Sequence, residues 1–198
     1  FLKDFSGICV TDGYQVYHKL EKEQETLKVA GCWVHARRKF DEAMNVVPKE
    51  QRNKSNAYLV MKQIQAIYRE ENKLNDLSSE ERLKQRQVVV KPLVDAFFAY
   101  IKTLKVSKKD TFGDAVGYAL NQERYLRVFL EDGDVPIDNN ASERAIKGFC
   151  IGKKNWQVID TISGAKSSAI IYSIAETAKA NNLKHYEYFE YMLSVIQE

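Results

Sequence analysis

From Pro48 to Val135 the chain carries long runs in which apolar residues recur three, four and seven apart, with few glycines to interrupt them. Val60, Ile64, Ile67 and Leu74 form one stripe; Val90, Leu93, Val94, Phe97, Phe98, Ile101 and Leu104 form a second; Phe112, Val116, Leu120, Leu126, Phe129 and Leu130 form a third. Such spacing gathers each set on one side of a helix, whereas a pleated strand repeats every two residues. The middle of the chain is therefore expected to be all-helical, and packing alone explains its stripes. Pro92 suits a first turn or a kink, because in a helix interior its ring clashes with the preceding turn.

The flanks differ in character. Before the helical middle, the short β-branched run Ile8 to Thr11, closed by Asp12 and Gly13, and the run Leu27 to His35 both have the look of buried strands. A short helical stretch, "GYQVYHKL", lies between them, and "ARRKFDEAM" begins a helix after the second. Beyond the turn-rich "GDVPIDNN" the pattern predicts a helix over Ala141 to Lys147, a break at Gly148 to Gly152 and an extended "NWQVI". A long amphipathic helix follows, with Ile170, Ile171, Ile174, Ala175 and Ala178 on one face and Asn181 and Asn182 at its C-terminal cap, then a last helix in "YEYFEYMLSVI".

Composition limits the setting. With 198 residues the chain can bury about 70% of the surface its unfolded form exposes, enough for one core with an inserted subdomain. Its 44% hydrophobic and 29% charged content is that of a soluble globular protein, and no apolar run nears the roughly 20 residues needed to span a bilayer. Three widely spaced cysteines, Cys9, Cys32 and Cys150, suit reduced thiols better than a disulfide framework. The net charge of +3 is modest, so only its local clustering bears on partners.

The stretch "IDNNASERAIKGFCIGKKNW", Ile137 to Trp156, sets a glutamate beside several lysines and a tryptophan. Taken alone, Asn140 as N-cap and Glu143 three residues on make a capping box, and "GKKNW" makes a solvated turn over a packed Trp156. Cys32 and His35 have the spacing of half a zinc site, but Cys9, His18, Cys150 and His185 supply no second close pair. A structural role for His35 is the simpler alternative.

Several segments together, "VTDGYQVY", "GCWVHARRKF", "DNNASERAIK" and "GKKNWQV" followed by "SGAKSSAIIYSIAETAKANNL", resemble the catalytic core of the insertion-sequence-66 class of bacterial transposases. That resemblance implies an α/β fold: a partial ribonuclease-H-like core, its truncated sheet flanked by helices, interrupted by an all-helical insertion. The parts would be 1–47 and 136–198 for the core and 48–135 for the insertion. By the same resemblance Asp12 and Glu143 are two of three catalytic, metal-binding acids. The first aspartate is expected upstream, since Asp4 sits just before the strand of Asp12 rather than on a neighbouring one.

The implied chemistry is DNA cleavage and strand transfer with Mg²⁺ or Mn²⁺, for which carboxylates supply the hard oxygen ligands. The metal and the activity are expected only in the intact enzyme, and a sheet edge left exposed is expected to pair with another copy. Arg37, Arg38, Lys39, Arg144, Lys147, Lys153 and Lys154 are candidates for backbone phosphates, and Trp156 for stacking on a base or for the core. His35, Asn139 and Asn140 would support the acids. Partners would be transposon-end and target DNA and further copies of the protein, in the cytoplasm at the nucleoid. The alternative is a non-catalytic DNA-binding or oligomerisation module derived from a transposase.

Overall fold

The computed structural model describes residues 2, 5–107, 109–156 and 161–196, and the side chains of these except 153–156. The chain divides into two compact units, Phe1–Asn139 and Asn140–Glu198. Helices dominate, with one small parallel sheet.

The first unit opens as a β-α-β turn. Strand β1 (Gly7–Thr11) leads through helix α1 (Gln15–Glu23) to β2 (Leu27–Gly31), which pairs with β1 in parallel from Gly7 opposite Leu27 to Thr11 opposite Gly31. Among the described residues the sheet holds these two strands. The run expected to stay extended as far as His35 turns helical sooner: α2 (Trp33–Val46) starts two residues after Gly31, so His35 lies in its first turn and not at a strand end. Tertiary contacts decide this. The Trp33 amide donates to the Ile137 carbonyl at 3.1 Å, its indole Nε1 donates to the Leu126 carbonyl at 2.8 Å, and the ring is fully buried against Phe97, Phe98 and Phe129.

The helical middle forms α3 (Asn56–Asn72), α4 (Ser79–Gln85), α5 (Lys91–Thr103), α6 (Thr111–Asn121) and the short α7 (Glu123–Leu126). The stripes read from spacing are core: Val60, Ile64, Ile67, Val90, Val94, Phe97, Phe98 and Ile101 are fully buried in one cluster that also takes Trp33, Phe40 and Ile137. A π-helical segment, Arg86–Val90, joins α4 to α5 just before Pro92 in the first turn of α5. The wider turn opens the ladder where proline has no N–H to give. The third stripe is divided among α6, α7 and a 3₁₀ turn at Val128–Leu130. Gly31 permits the close approach of α7 to β2, since a Cβ there would lie 3.1 Å from the Leu126 nitrogen.

The second unit comprises α8 (Asn140–Trp156), α9 (Ile162–Ala180) and α10 (His185–Ile196). The break expected at Gly148 to Gly152 does not occur, because α8 runs through both glycines to Trp156. Glycine weakens a helix by only about 1 kcal/mol each, and the edge-to-face packing of Phe149 on Tyr172 of α9, centroids 4.9 Å apart, fastens the helix beyond Gly148. Of the extended "NWQVI", Asn155 and Trp156 are helical and 157–159 lie outside the described residues. The expected face of α9 is graded: Ala178 is buried, Ile174 and Ala175 are half-buried, and Ile170 and Ile171 are exposed. Asn181 caps it and Asn182 takes a left-handed φ of 56°, a conformation asparagine tolerates. No described helix is long and apolar enough to cross a membrane.

Candidate functional site

The carboxyl ends of β1 and β2 lie side by side, and in α/β architectures ligands collect at that edge. Asp12 leaves β1 there, exposed, with its Oδ1 accepting the Tyr14 amide at 3.0 Å in an Asx turn. Gly13 follows with a φ of +86°, and a Cβ there would stand 3.2 Å from the Tyr118 hydroxyl and the Gln122 side chain. Only glycine meets both demands without strain. Tyr118 of α6 donates its hydroxyl to the Asp12 carbonyl at 3.0 Å, so an element distant in sequence fixes the turn that aims the carboxylate.

From the end of β2, the Cys32 amide donates to the Thr11 carbonyl at 2.9 Å. Burial raises the pKa of the Cys32 thiol, although main-chain amides of Asn139, His35 and Val34 favour the thiolate; the charge of Asp138 raises it further. Segment 137–139 is thus held over the sheet end, by the Trp33 to Ile137 hydrogen bond and by the approach of Asn139 to Cys32. Tyr68 of α3 belongs to the same group. Burial, then the charge of Asp138, holds its phenol well above the ordinary value, while the guanidinium of Arg37, 5.8 Å from its ring centroid, acts the other way.

Of the residues singled out from the sequence, Asp12, His35, Arg37, Arg38, Lys39 and Asn139 are in the first unit. Arg37 and Arg38 are exposed on α2. Lys39 is committed elsewhere, to Asp114 at 2.9 Å and to the face of Tyr118 at 5.3 Å. Asn140, Glu143, Arg144 and Lys147 are in the second unit on α8; Glu143 is half-buried in its first turn, and Arg144 and Lys147 are exposed. The side chains of Lys153, Lys154 and Trp156 lie outside those described, as does Asp4. Among the described residues no three of His, Cys, Asp and Glu gather as a metal-holding group. Sequence reasoning passed over Asp138, Tyr68 and Tyr118; for Asp138 the signal was present, since it opens the quoted "DNN".

Residues 1–167 match the model of the transposase IS66 family. The chain belongs to that family. Among curated relatives it is similar to three uncharacterized proteins of Sinorhizobium fredii. It is 27% identical to y4jD across 98% of this chain and 39% of the relative, and 30% identical to y4qI across 100% and 37%. For y4hP the identity is 28% across 92% and 35%. The chain therefore spans little more than a third of the length of these relatives. No solved structure matches it.

Tyr118 connects the Asp12–Gly13 turn to alkaline stability. Burial first, then the charges of Cys32 and Asp12, raise its pKa from 10.0 to about 12. The folded state thus holds the proton more tightly than the unfolded one. Its contribution is present in full below pH 10 and is lost as the pH rises from 10 through about 12. Tyr118→Phe is expected to lose about 1 kcal/mol at neutral pH, the worth of the hydrogen bond to Asp12, and to flatten the stability decline between pH 10 and 12. Urea unfolding at stepped pH measures both; an unchanged alkaline decline in the variant would refute the assignment.

Proposed function

We propose that this chain forms part of a DNA transposase that cleaves and rejoins phosphodiester bonds, with Asp12 and Glu143 as two of its three catalytic acids. Family membership supports the class of activity. The observation that carries the assignment of Asp12 is its position: an exposed carboxylate at the carboxyl edge of a parallel pair, its turn fixed by Gly13 and by the Tyr118 hydrogen bond; Glu143 is assigned by the resemblance of "DNNASERAIK" alone. The β-α-β opening is compatible with a ribonuclease-H-like core, to which the longer protein would add strands and the first aspartate, with 48–135 as the helical insertion.

The donor set suits Mg²⁺ or Mn²⁺. Asp12 offers carboxylate oxygen, whereas the thiol nearest this edge, Cys32, is buried and held toward its protonated form, which argues against a soft-metal site with His35. Bound by Asp12, Glu143 and the upstream acid, the cation would activate the attacking hydroxyl and neutralise the leaving oxygen. Asp12 would be oriented by its Asx turn, Arg37 and Arg38 would neutralise backbone phosphates beside it, and Arg144 and Lys147 would do so beside Glu143. The middle helices give no support to an oligomerisation module, since their apolar stripes are consumed by the core.

The test is strand cleavage and joining by the longer protein on DNA carrying the element ends. Products are expected with Mg²⁺ or Mn²⁺ and none after chelation. Equal product formation in a chelator would remove the metal from the proposal, and products absent under every divalent ion would remove the activity.

A further inference from the structure

A cleft of about 610 Å³ opens between α1 and the α6–α7 pair, directly beside Asp12, with Gly13 and Tyr118 in its wall. Its size is within the roughly 300–1,000 Å³ of small-molecule sites, too narrow for a duplex. His18 of α1 and Tyr125 of α7 stack on each other beside it, with ring centroids 3.9 Å apart and planes 1° apart, and the Arg124 guanidinium lies 5.4 Å from the Tyr125 centroid, so the stacked pair offers the cleft its ring edges. Two buried polar atoms in this lining, His18 Nε2 and Gln122 Oε1, have no hydrogen-bond partner among the described residues. Both atoms are shielded from solvent, so the polar side chains that a ligand in the cleft can reach are Gln15, Tyr118 and Asn121 of its lining.

The rim is basic. Lys19 and Lys22 lie three apart, neighbours on the surface of α1, and both line the cleft. Lys19 meets Glu23 at 3.7 Å, in an exposed pair worth about 0–1 kcal/mol and easily exchanged for a phosphate. Burial lowers the pKa of His18, with Lys22 and Arg124 acting in the same direction against Glu21, so the ring stacks as a neutral imidazole near pH 7. Aromatic ring edges, accessible amide and phenol groups able to meet a base edge, and two ammonium groups on one rim are together suited to a nucleotide. A lipid would find the rim too polar, and a duplex could not enter.

We infer that this cleft receives one unpaired nucleotide of the DNA strand, its base across the ring edges of the His18–Tyr125 pair and its phosphate on Lys19 and Lys22, next to the phosphodiester that Asp12 addresses. This rests on the proposed function for the nature of the strand, but the cleft binds without catalysis. Tyr118 connects the two: it lines the cleft and donates to the Asp12 carbonyl, so a seated nucleotide is placed in fixed register with the carboxylate.

The test uses the chain with a chelator present, so that no metal chemistry is needed. A short single-stranded oligonucleotide carrying 5-iodouracil is irradiated with the protein and the adducts are mapped. Crosslinks are expected at His18, Tyr118 or Tyr125, and a duplex of the same sequence is expected to give none there. In parallel, binding of the labelled single strand is followed by fluorescence anisotropy over a salt series. Lys19→Ala with Lys22→Ala, both on the surface of α1 and so harmless to folding, should reduce the slope of log K against log salt by about 0.7, the amount expected for the one phosphate no longer neutralised. Adducts mapped only elsewhere, or an unchanged slope, would overturn the inference. Cleft adducts from a protein whose longer form never cleaves DNA would leave the nucleotide site standing and the catalytic proposal refuted; metal-dependent cleavage without cleft adducts would do the reverse.

Discussion

Replacing Arg86 by alanine is expected to destabilise the first unit by about 3–5 kcal/mol, enough to unfold much of a domain of ordinary stability. Arg86 is 1% exposed and Glu71 4%, the guanidinium meeting both carboxylate oxygens at 2.5–3.1 Å. The same guanidinium donates to the Phe129 and Asp132 carbonyls at 2.7 and 2.6 Å and lies 5.2 Å from the Phe129 ring centroid. Removing it leaves a buried carboxylate without its cation and two carbonyls without a donor. Because the desolvation of two charges nearly offsets their attraction, the double substitution Glu71→Leu with Arg86→Met should regain most of the loss. Urea midpoints for the three proteins decide the matter. If Arg86→Ala unfolds at the wild-type midpoint, the pair has no structural role; if the double variant is as weak as the single one, the carbonyl contacts and not the ion pair carry the energy.

This pair illustrates where the sequence was and was not legible. The apolar stripes could be read because burial imposes a period, and Val60, Ile64, Ile67, Phe97 and Phe98 all lie in the core. Glu71 and Arg86 fall on the apolar stripes, four after Ile67 and four before Val90, but a charge in such a place is recognised as buried only from its partner, which is fifteen positions away. The π segment was equally hidden, although Pro92 marked where the ladder had to yield. At Gly148 and Gly152 a local rule was applied where packing from Phe149 outweighed it. At His35 the β-branched run continued past Gly31, but the burial of Trp33 turned the chain into α2.

The candidate site divides along the same line. Asp12 and Gly13 could be found because strand, acid and turn residue are contiguous. Tyr118 and Tyr68 reach the same edge from α6 and α3, through contacts that leave no trace in local spacing. Asp138 was visible in the motif, and its place beside Tyr68 and Cys32 depends on main-chain contacts of Ile137 and Asn139. The cleft beside Asp12 was invisible for a further reason: the pairing of His18 with Tyr125 joins α1, before the helical middle, to α7, near the end of it.

In the longer protein, Asp12→Asn is expected to reduce Mg²⁺-dependent strand transfer by about 10³-fold, as is Glu143→Gln, because several kcal/mol of transition-state charge stabilisation go with each carboxylate. Folding should not change by more than about 0.5 kcal/mol for Asp12→Asn, since the asparagine Oδ1 can still accept the Tyr14 amide and the side chain is exposed. Equal thermal unfolding of variant and wild type therefore separates lost chemistry from lost structure. Asp138→Asn is the necessary comparison, because Asp138 lies at the same sheet edge and differs in having Tyr68 and Cys32 as neighbours. Its loss should shift the Tyr68 titration downward and leave most of the strand transfer. Full activity in Asp12→Asn together with silence in Asp138→Asn would move the catalytic role from the end of β1 to the segment before α8.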